Sequence, residues 1–212
     1  TTGGDVAAEW EALRDELAAE ARALDDRVGA ELARGRAPAR SPDGRRLAWL
    51  DGATVRVAPW TGAGPLGDAR SLPLAGTPDR LAWWGADRLV YARLRGGPDG
   101  RLRELHALDV ASGRETLLTR GARGRDPAAT ADGCLAFVRD DGPGASQLRR
   151  WCPGGPPAGT VVWRPPSDAR IVGLAASPRG ALALVVGEGG RRDLLRLDPA
   201  RSGAFVAVPL PA

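Results

Sequence analysis

Residues that could carry out chemistry are scarce in this sequence of 212 amino acids. It has one histidine, His106, two cysteines and no lysine. One imidazole and two thiols fall short of the four-ligand set of a structural zinc site, and a phosphate-binding loop of the usual type needs a lysine. The nucleophile motif Gly-x-Ser-x-Gly and the aspartate-rich calcium loop are also missing from the sequence. We therefore expect no enzymatic activity, no metal and no cofactor.

The single histidine lies in a run of alternating character. In a strand, the alternation places His106 on the same face as Glu104 and Leu108. A strand histidine beside a carboxylate is more often a structural residue than a catalytic one. We expect a structural role for His106.

The two cysteines flank a predicted hairpin. If the chain reverses near Gly142 and Pro143, Cys134 and Cys152 face each other on adjacent strands, close enough for a disulfide. The alternative is a pair of buried, small hydrophobic side chains. A disulfide would indicate an oxidising compartment.

Composition excludes several functional classes. The 30 basic residues are all arginine and are nearly balanced by 26 acidic residues, which argues against a nucleic-acid-binding surface. A hydrophobic fraction of 43% is typical of globular proteins, and no apolar run approaches the length that spans a bilayer, so we expect no membrane insertion. Methionine is absent, and we therefore expect the sequence to be a piece of a longer protein.

An amphipathic helix is predicted over residues 1–35. Its apolar residues recur at steps of three and four and form one stripe, which needs a surface to pack on. Gly35 and Pro38 favour its end. The stripe consists of Val6, Trp10, Leu13, Leu17, Ala21, Leu24, Val28 and Leu32.

The remainder of the sequence contains four repeats of a strand-and-turn pattern. Turn motifs begin at positions 41, 85, 130 and 177, so they lie 44, 45 and 47 residues apart, and each precedes a short apolar run. Every repeat resolves into four short strands, which is typical of a β-propeller blade. We predict an all-β fold of four four-stranded blades, at about 36–75, 76–120, 121–166 and 167–212, behind the helix. The four blades form either a compact ring or a partial ring.

The repeat resembles that of a known family. Ser-Pro-Asp-Gly at 41–44, followed by the strand Arg-Arg-Leu-Ala-Trp, is similar to the repeat of TolB-like propellers, which are related to WD-type repeats. Weaker copies stand at 85–87, 130–133 and 177–180. The resemblance covers about residues 36–211 and implies an extracytoplasmic location, periplasmic or secreted. It also implies a scaffold or binding role rather than catalysis.

The resemblance leaves other functions open. A helix that runs directly into such repeats is similar to the junction in proteins where a zinc peptidase domain precedes a TolB-like propeller. The alternatives to an interaction module are therefore an accessory propeller of an extracytoplasmic zinc peptidase and a structural subunit of an assembly. Further blades or a neighbouring domain of a longer chain would then be its partners.

Loops supply the predicted interaction surface, since propellers contact partners through the turns around the central channel. The connector between the second and third repeats is rich in arginine, and two further arginines lie in hairpins at the same end of the blades. Guanidinium groups suit carboxylates, so we expect a protein or peptide partner, acidic in character, with a plain solvated rim as the alternative. The strand tryptophans are expected between blades. The predicted partner-binding residues are Arg95, Arg120, Arg123, Arg125, Arg191 and Trp60, the last as an exposed ring.

Overall fold

The computed structural model describes residues 34–61, 66, 68–97, 100–142, 145–166, 169–177, 181–197 and 205–208. From Gly35 onward these residues belong to a single unit, Gly35–Ala212. The helix predicted for residues 1–35 lies outside the described residues apart from its last two positions, and it stays a prediction. Among the residues that are described, no helix is long and apolar enough to cross a membrane.

The described strands form four four-stranded sheets, one for each repeat. Blade 1 contains β1 (Arg36–Arg40), β2 (Arg46–Asp51), β3 (Thr54–Pro59) and β4 (Arg70–Pro73). Blade 2 contains β5 (Leu81–Trp84), β6 (Arg88–Gly97), β7 (Gly100–Asp109) and β8 (Glu115–Leu117). Blade 3 contains β9 (Gly124–Ala129), β10 (Leu135–Gly142), β11 (Ala145–Trp151) and β12 (Thr160–Trp163). Blade 4 contains β13 (Arg170–Ala176), β14 (Leu182–Glu188), β15 (Arg191–Leu197) and β16 (Phe205–Val208).

The blades follow one another as wedges. Within each blade the strands pair antiparallel and in chain order. The first strands contact each other in the order β1, β5, β9 and β13, and no comparable contact joins β13 to β1 among the described strands. Three apolar cores lie between consecutive blades. The predicted four-bladed propeller is confirmed, and its described strands form an arc.

One sequence pattern explains how the wedges pack. The second strand of each blade reads Leu-Ala-Trp, Leu-Val-Tyr, Leu-Ala-Phe or Leu-Ala-Leu, at 47–49, 89–91, 135–137 and 182–184. Strand side chains alternate between faces, so the two large residues share one face and the small residue lies on the other. In blades 2, 3 and 4 the large residues pack towards the preceding blade, and in blades 1, 2 and 3 the small residue packs towards the next. Small side chains of one blade thus receive large side chains of its neighbour.

Tryptophans strengthen these interfaces, as expected. Trp83 donates its indole N–H to the carbonyl of Ala39 in blade 1, at 2.9 Å, and Trp84 donates to the carbonyl of Gly133 in blade 3, also at 2.9 Å. Trp84 also packs edge-on against Trp151, with 6.0 Å between ring centroids. Each indole therefore combines buried apolar area with a satisfied polar group, which fixes the orientation of neighbouring blades.

The repeated turns hold their shape through local hydrogen bonds. The hydroxyl of Ser41 and the backbone N–H of Arg45 both donate to the Asp43 carboxylate, and Gly44 has a φ of 73°. These bonds hold the pKa of Asp43 below its ordinary value, the Ser41 bond being the largest cause. Thr130 and Asp132 repeat the arrangement in blade 3. The motif is structural, because its polar side chains form their hydrogen bonds within the turn itself.

Candidate functional site

The two ends of each blade carry different loops. Because four antiparallel strands follow in chain order, the connectors between blades lie at the same end as the hairpins between second and third strands. We call this end the connector end. The repeated turns and the turns between third and fourth strands lie at the opposite end, which we call the turn end.

Three of the predicted arginines lie in or beside strands at the connector end. Arg95 lies near the end of β6, Arg123 directly precedes β9, and Arg191 begins β15, and all three are exposed. The guanidinium group of Arg191 pairs with Asp193 at 3.0 Å. Within the described part of the chain, the guanidinium groups of Arg95 and Arg123 have no partner. Arg95 and Arg123 therefore present charges at this end that no described residue neutralises.

Arg120 lies just after β8, where the chain leaves blade 2. It is exposed, and its backbone N–H donates to the carbonyl of Pro157, in the loop between β11 and β12, at 3.3 Å. Its guanidinium group also lacks a partner among the residues described. Arg120 and Arg123 thus begin and end the short connector between blades 2 and 3.

Trp60 does not join this group. It follows β3, and its backbone N–H donates to the carbonyl of Arg45 at 2.7 Å, which places it at the turn end of blade 1. The residue is half-buried, and the exposed ring stays a prediction. Trp60 and the connector-end arginines cannot contact the same small ligand.

Arg125 serves the fold. Its guanidinium group is largely buried and donates to Asp140 at 2.8 Å, to Asp126 at 2.7 Å, and to the carbonyl of Ile171 in blade 4. Burial opposes its charge, but the two carboxylates outweigh burial and raise the pKa of Arg125. The assignment of Arg125 to partner binding is therefore corrected. Arg125 departs from the predicted surface position because Arg123 and Asp126 have left-handed φ values of 51° and 48°. These two residues interrupt the regular alternation of side chains along β9.

Arg125 is one member of a series that sequence analysis missed. Arg36 donates to the carbonyl of Pro78 at 2.8 Å, and Arg80 pairs with Asp126 at 3.5 Å. Each therefore reaches the next blade, as Arg125 does. Arg170 holds the same place in blade 4, is exposed, and has no partner in the described ranges. The recurrence of arginine at positions 36, 80, 125 and 170 could have predicted this series of contacts between blades from the sequence.

Cys134 and Cys152 form a disulfide, with their Cα atoms 4.4 Å apart. The neighbouring residues Leu135 and Trp151 pair across β10 and β11, which is the register expected for facing cysteines. The bond closes the turn end of the central hairpin in blade 3. Of the two alternatives, the structure contains the disulfide.

A buried polar cluster lies on the face of blade 2 that packs towards blade 1. Nδ1 of His106 is 2.9 Å from Oε1 of Glu115, and the hydroxyl of Tyr91 donates to the other carboxylate oxygen at 2.7 Å. Arg93 also pairs with Glu115, and Tyr91 stacks on the imidazole. Burial lowers the pKa of His106 and Arg93 lowers it further, whereas Glu115 opposes both. His106 is part of the packing, and sequence analysis missed its partner.

Glu104, the expected neighbour of His106, holds the connector instead. Its buried carboxylate accepts hydrogen bonds from the hydroxyl of Thr119 at 2.8 Å and from the backbone N–H of Gly121 at 2.6 Å. The N–H of Ala122 donates to it at 3.4 Å. This charge therefore fixes the backbone between Arg120 and Arg123. It was hidden from the sequence because its partners lie fifteen to eighteen positions along the chain.

Among the described residues, no group of three or more histidine, cysteine, aspartate or glutamate side chains could hold a metal ion. In the polar clusters of blades 2 and 3, arginine groups pair with carboxylate groups, as Arg93 does with Glu115 and Arg125 with Asp140. What the connector end offers chemically is unpaired positive charge on a backbone held in place.

No known family description matches the chain, and no curated protein is similar to it. Solved structures are similar in fold. TolB from Acinetobacter baumannii has a TM-score of 0.64 at 16% identity, over 81% of this chain and 42% of that one. A puromycin-hydrolyzing peptidase from Mycobacterium tuberculosis has 0.58 at 20%, over 84% and 29%. The β-propeller domain of the Trilobed protease from Pyrococcus furiosus, which has an open velcro topology, has 0.58 at 11%, over 83% and 56%.

This chain spans about two fifths of TolB, the first of these relatives, and the identities are low, so the likeness concerns the fold. The chain therefore has the β-propeller fold of TolB-like and other propeller proteins, as its repeats predict.

Proposed function

We propose that this chain is a non-catalytic protein-interaction module whose connector end binds an acidic segment of a partner. The binding residues are Arg95 and Arg123, to which we refer as the free arginines. Arg120 stays a predicted contact of the connector, where its backbone N–H donates to the loop between β11 and β12. Each guanidinium group can receive a carboxylate through two parallel hydrogen bonds. Arg125 and Trp60 are excluded from this site by their contacts, and Arg191 is occupied by Asp193.

The single observation that carries the proposal is the contrast in pairing at the connector end. Arg103 pairs with Asp79 at 2.9 Å and Arg139 pairs with Asp141 at 2.6 Å. Beside these neutralised pairs, no residue that the structure describes pairs with the guanidinium groups of the free arginines. An acidic ligand would gain both Coulomb attraction and directed hydrogen bonds there, and exposed charge would speed its association.

The site is also held in shape before a ligand arrives. Glu104 fixes the backbone of the connector between Arg120 and Arg123 through hydrogen bonds from the N–H groups of Gly121 and Ala122, and it also accepts the hydroxyl of Thr119. A backbone that is already ordered does not lose conformational entropy on binding, and this favours affinity. Glu104 is therefore a positioning residue for the proposed site.

We further propose an extracytoplasmic location. The disulfide between Cys134 and Cys152 supports it, because such bonds persist in oxidising compartments and are rare in the cytosol. The proposal predicts that protein isolated from its native compartment has no thiol that can be alkylated without reduction.

A second candidate is an accessory propeller of an extracytoplasmic peptidase, including the zinc peptidases that the sequence resemblance implies. Its support is that two of the similar structures are a peptidase and the propeller domain of a protease. In this role the free arginines would contact a peptidase domain or a peptide substrate, and this chain would contribute no catalytic group. An interaction module and an accessory propeller of a peptidase would thus bind different partners through the same surface, the one that carries the free arginines.

Fluorescence anisotropy with a labelled ten-residue peptide of alternating aspartate and glutamate tests the proposed surface. Arg95→Ala combined with Arg123→Ala should weaken binding roughly tenfold, because two charge-assisted contacts are lost. The matched control is Arg45→Ala combined with Arg114→Ala, two exposed arginines of the turn end, which should leave the affinity within about twofold. Equal weakening by both pairs would show only a general effect of net charge and would contradict the proposed site.

A further inference from the structure

β12 is the outermost strand of blade 3, and its outer edge is free. Among the described strands it pairs with β11 alone. The backbone N–H and C=O groups on its outer side therefore have no neighbouring strand, and an edge of this kind is a template for a further extended segment. The corresponding outer strands of blades 1 and 2 are β4 and β8, so three edges can be compared.

The side chains of β12 leave this edge unprotected. Val161 and Val162 are 41% and 40% exposed, and the strand contains neither proline nor a charged residue. In β4, by contrast, Leu72 is buried, and an arginine and a proline are exposed instead. β8 is shorter than β12, and its Glu115 is held by His106. Proline and charge are two of the means by which edge strands avoid pairing, and β12 has neither of them.

Positive charge lies beside this strand. Arg149 pairs in register with Val161 of β12 and with Phe137 of β10, and Phe137 belongs to the core between blades 2 and 3. Arg149 and Val161 therefore lie on the side of blade 3 that faces blade 2. Nη2 of Arg149 donates to the carbonyl of Gly159 at 2.9 Å, and its Nε is buried without a partner in the described part of the chain. This guanidinium group thus has no carboxylate beside it to neutralise its charge.

Arg164 directly follows β12 and adds to this charge. It is exposed, and no residue that the structure describes pairs with its guanidinium group. Trp163, the residue before it, packs against the core between blades 3 and 4. Because successive side chains of an extended chain alternate between faces, Arg164 is expected on the side that faces blade 2, which is the side of Arg149 and Val161.

The electrostatics of this side agree with an excess of arginine. Burial lowers the pKa of Arg149, and the charges of Arg139 and Arg164 lower it further, whereas Asp141 opposes them. Asp141 is already paired with Arg139 at 2.6 Å. A carboxylate brought to this side would therefore bind Arg164 through charge-assisted hydrogen bonds and reduce the repulsion around Arg149.

We infer that β12 binds an extended acidic segment of a partner protein, which adds to blade 3 as a fifth strand. The backbone of the segment pairs with the free edge, one of its apolar side chains covers Val161, and a carboxylate on the same face binds Arg164. Apolar and acidic residues two positions apart meet this requirement, since alternate residues of a strand share a face. This surface is additional to the one proposed above, because neither of the free arginines takes part in it.

The test uses a labelled eight-residue peptide in which threonine alternates with valine and glutamate, so that valines and glutamates share one face. Fluorescence anisotropy measures its binding to the full chain. Val161→Asp should weaken binding about tenfold, because the apolar cover is lost and the new charge repels the peptide. The matched control is Val172→Asp, which adds the same charge at a valine of blade 4 that is also 41% exposed, and it should leave the affinity within about twofold.

Two changes in the peptide test the recognition without altering the protein, so the inference can be decided even if Val161→Asp does not fold. Lysine in place of both glutamates should weaken binding at least about tenfold, because attraction becomes repulsion. Methylation of alternate backbone nitrogens should abolish binding in one pattern and preserve it in the other, since only one set of N–H groups points towards β12.

The free arginines separate this inference from the proposed function. Arg95→Ala with Arg123→Ala should leave the affinity for this peptide within about twofold, whereas Arg164→Ala should weaken it about fivefold. The reverse pattern would assign the peptide to the connector end and overturn the inference. Absence of binding, equal weakening by Val161→Asp and Val172→Asp, or binding that neither methylation pattern changes would also overturn it. Dimerisation of the chain that Val161→Asp abolishes would assign the edge to a second copy, which contradicts a separate partner.

Discussion

Blades 3 and 4 carry the same residues at equivalent positions and differ in what covers them. Ala136 and Val138 are core residues, and Ala183 and Val185 are partly open to solvent. Arg125 is locked between carboxylates and a carbonyl group, and Arg170 is exposed. The role of a residue in a repeat protein therefore depends on the repeat that packs against it, because stability is largely a sum of interfaces between neighbouring repeats.

The largest difference between blades 3 and 4 is expected when a charge is placed at equivalent positions of their second strands. Val138→Asp buries a carboxylate without a partner and should lower the free energy of unfolding by about 4 kcal/mol. Val185→Asp should cost about 0.5 kcal/mol, since the carboxylate can reach water. Urea unfolding followed by tryptophan fluorescence measures both. Equal losses would show that Val185 is as buried as Val138, and the contrast between the two blades would fail.

Blade 3 also differs from blade 4 by its disulfide. Replacing both cysteines, Cys134→Ser with Cys152→Ser, should lower stability by about 3 kcal/mol, since the bond closes a loop of 18 residues. The double variant should no longer respond to reductant, and the parent protein should lose a similar amount when reduced. Thermal unfolding with and without dithiothreitol measures this. A parent protein that is unaffected by reduction would contradict the expected contribution.

The interface between blades 1 and 2 is expected to be sensitive to pH, unlike the apolar core between blades 3 and 4. Burial lowers the pKa of His106 below its ordinary value of 6.5 in the folded protein. The unfolded chain therefore takes up a proton first, and stability should be complete above about pH 6.5 and fall as pH decreases through that value.

His106→Gln should flatten the dependence between about pH 7.5 and 5.5, because this is the only histidine in the sequence. Urea midpoints at several pH values give the slope. A slope that persists in His106→Gln would assign the titration to another group and remove the distinction between the two interfaces.

The smallest expected change in stability separates the free arginines from the paired ones. Arg95→Ala with Arg123→Ala should alter the free energy of unfolding by less than about 0.5 kcal/mol, because neither guanidinium group has a partner in the described structure. Arg125→Ala should cost about 3 kcal/mol, since two carboxylates and a carbonyl group lose their donor. Calorimetric melting temperatures compare the two. Similar losses would mean that the free arginines hold the fold and leave no separate binding surface.

The fold could be predicted because its signals are local and repeated. Turn motifs at regular intervals, alternation within strands and the symmetric placement of Cys134 and Cys152 around a hairpin all depend on neighbours in sequence. Blade 2 illustrates this, since its four strands pair in chain order, as the repeat predicts. Periodicity fixes which residues share a face when the backbone is regular.

The site was harder to predict, because it depends on departures from that regularity. Left-handed residues at Arg123 and Asp126 turn Arg125 into the interface, and no composition signal marks them, as neither is glycine. Likewise, His106 pairs with Glu115 across two strands, whereas the sequence points to Glu104 as its neighbour. Which residues of two neighbouring strands meet depends on the register of their pairing, and the alternation of a single strand does not give that register.

Each blade has two unlike faces, one with small side chains and one with large ones, so the row of blades has a direction. Such an interface joins unlike surfaces, so a twofold axis cannot relate two wedges through it. Any wedge added to blade 4 must follow the same rotational sense as the first four, and growth in the opposite sense would oppose alanine to alanine and leave voids. The alternation of small and large residues in the second strand of each blade thus determines the direction in which blades follow one another.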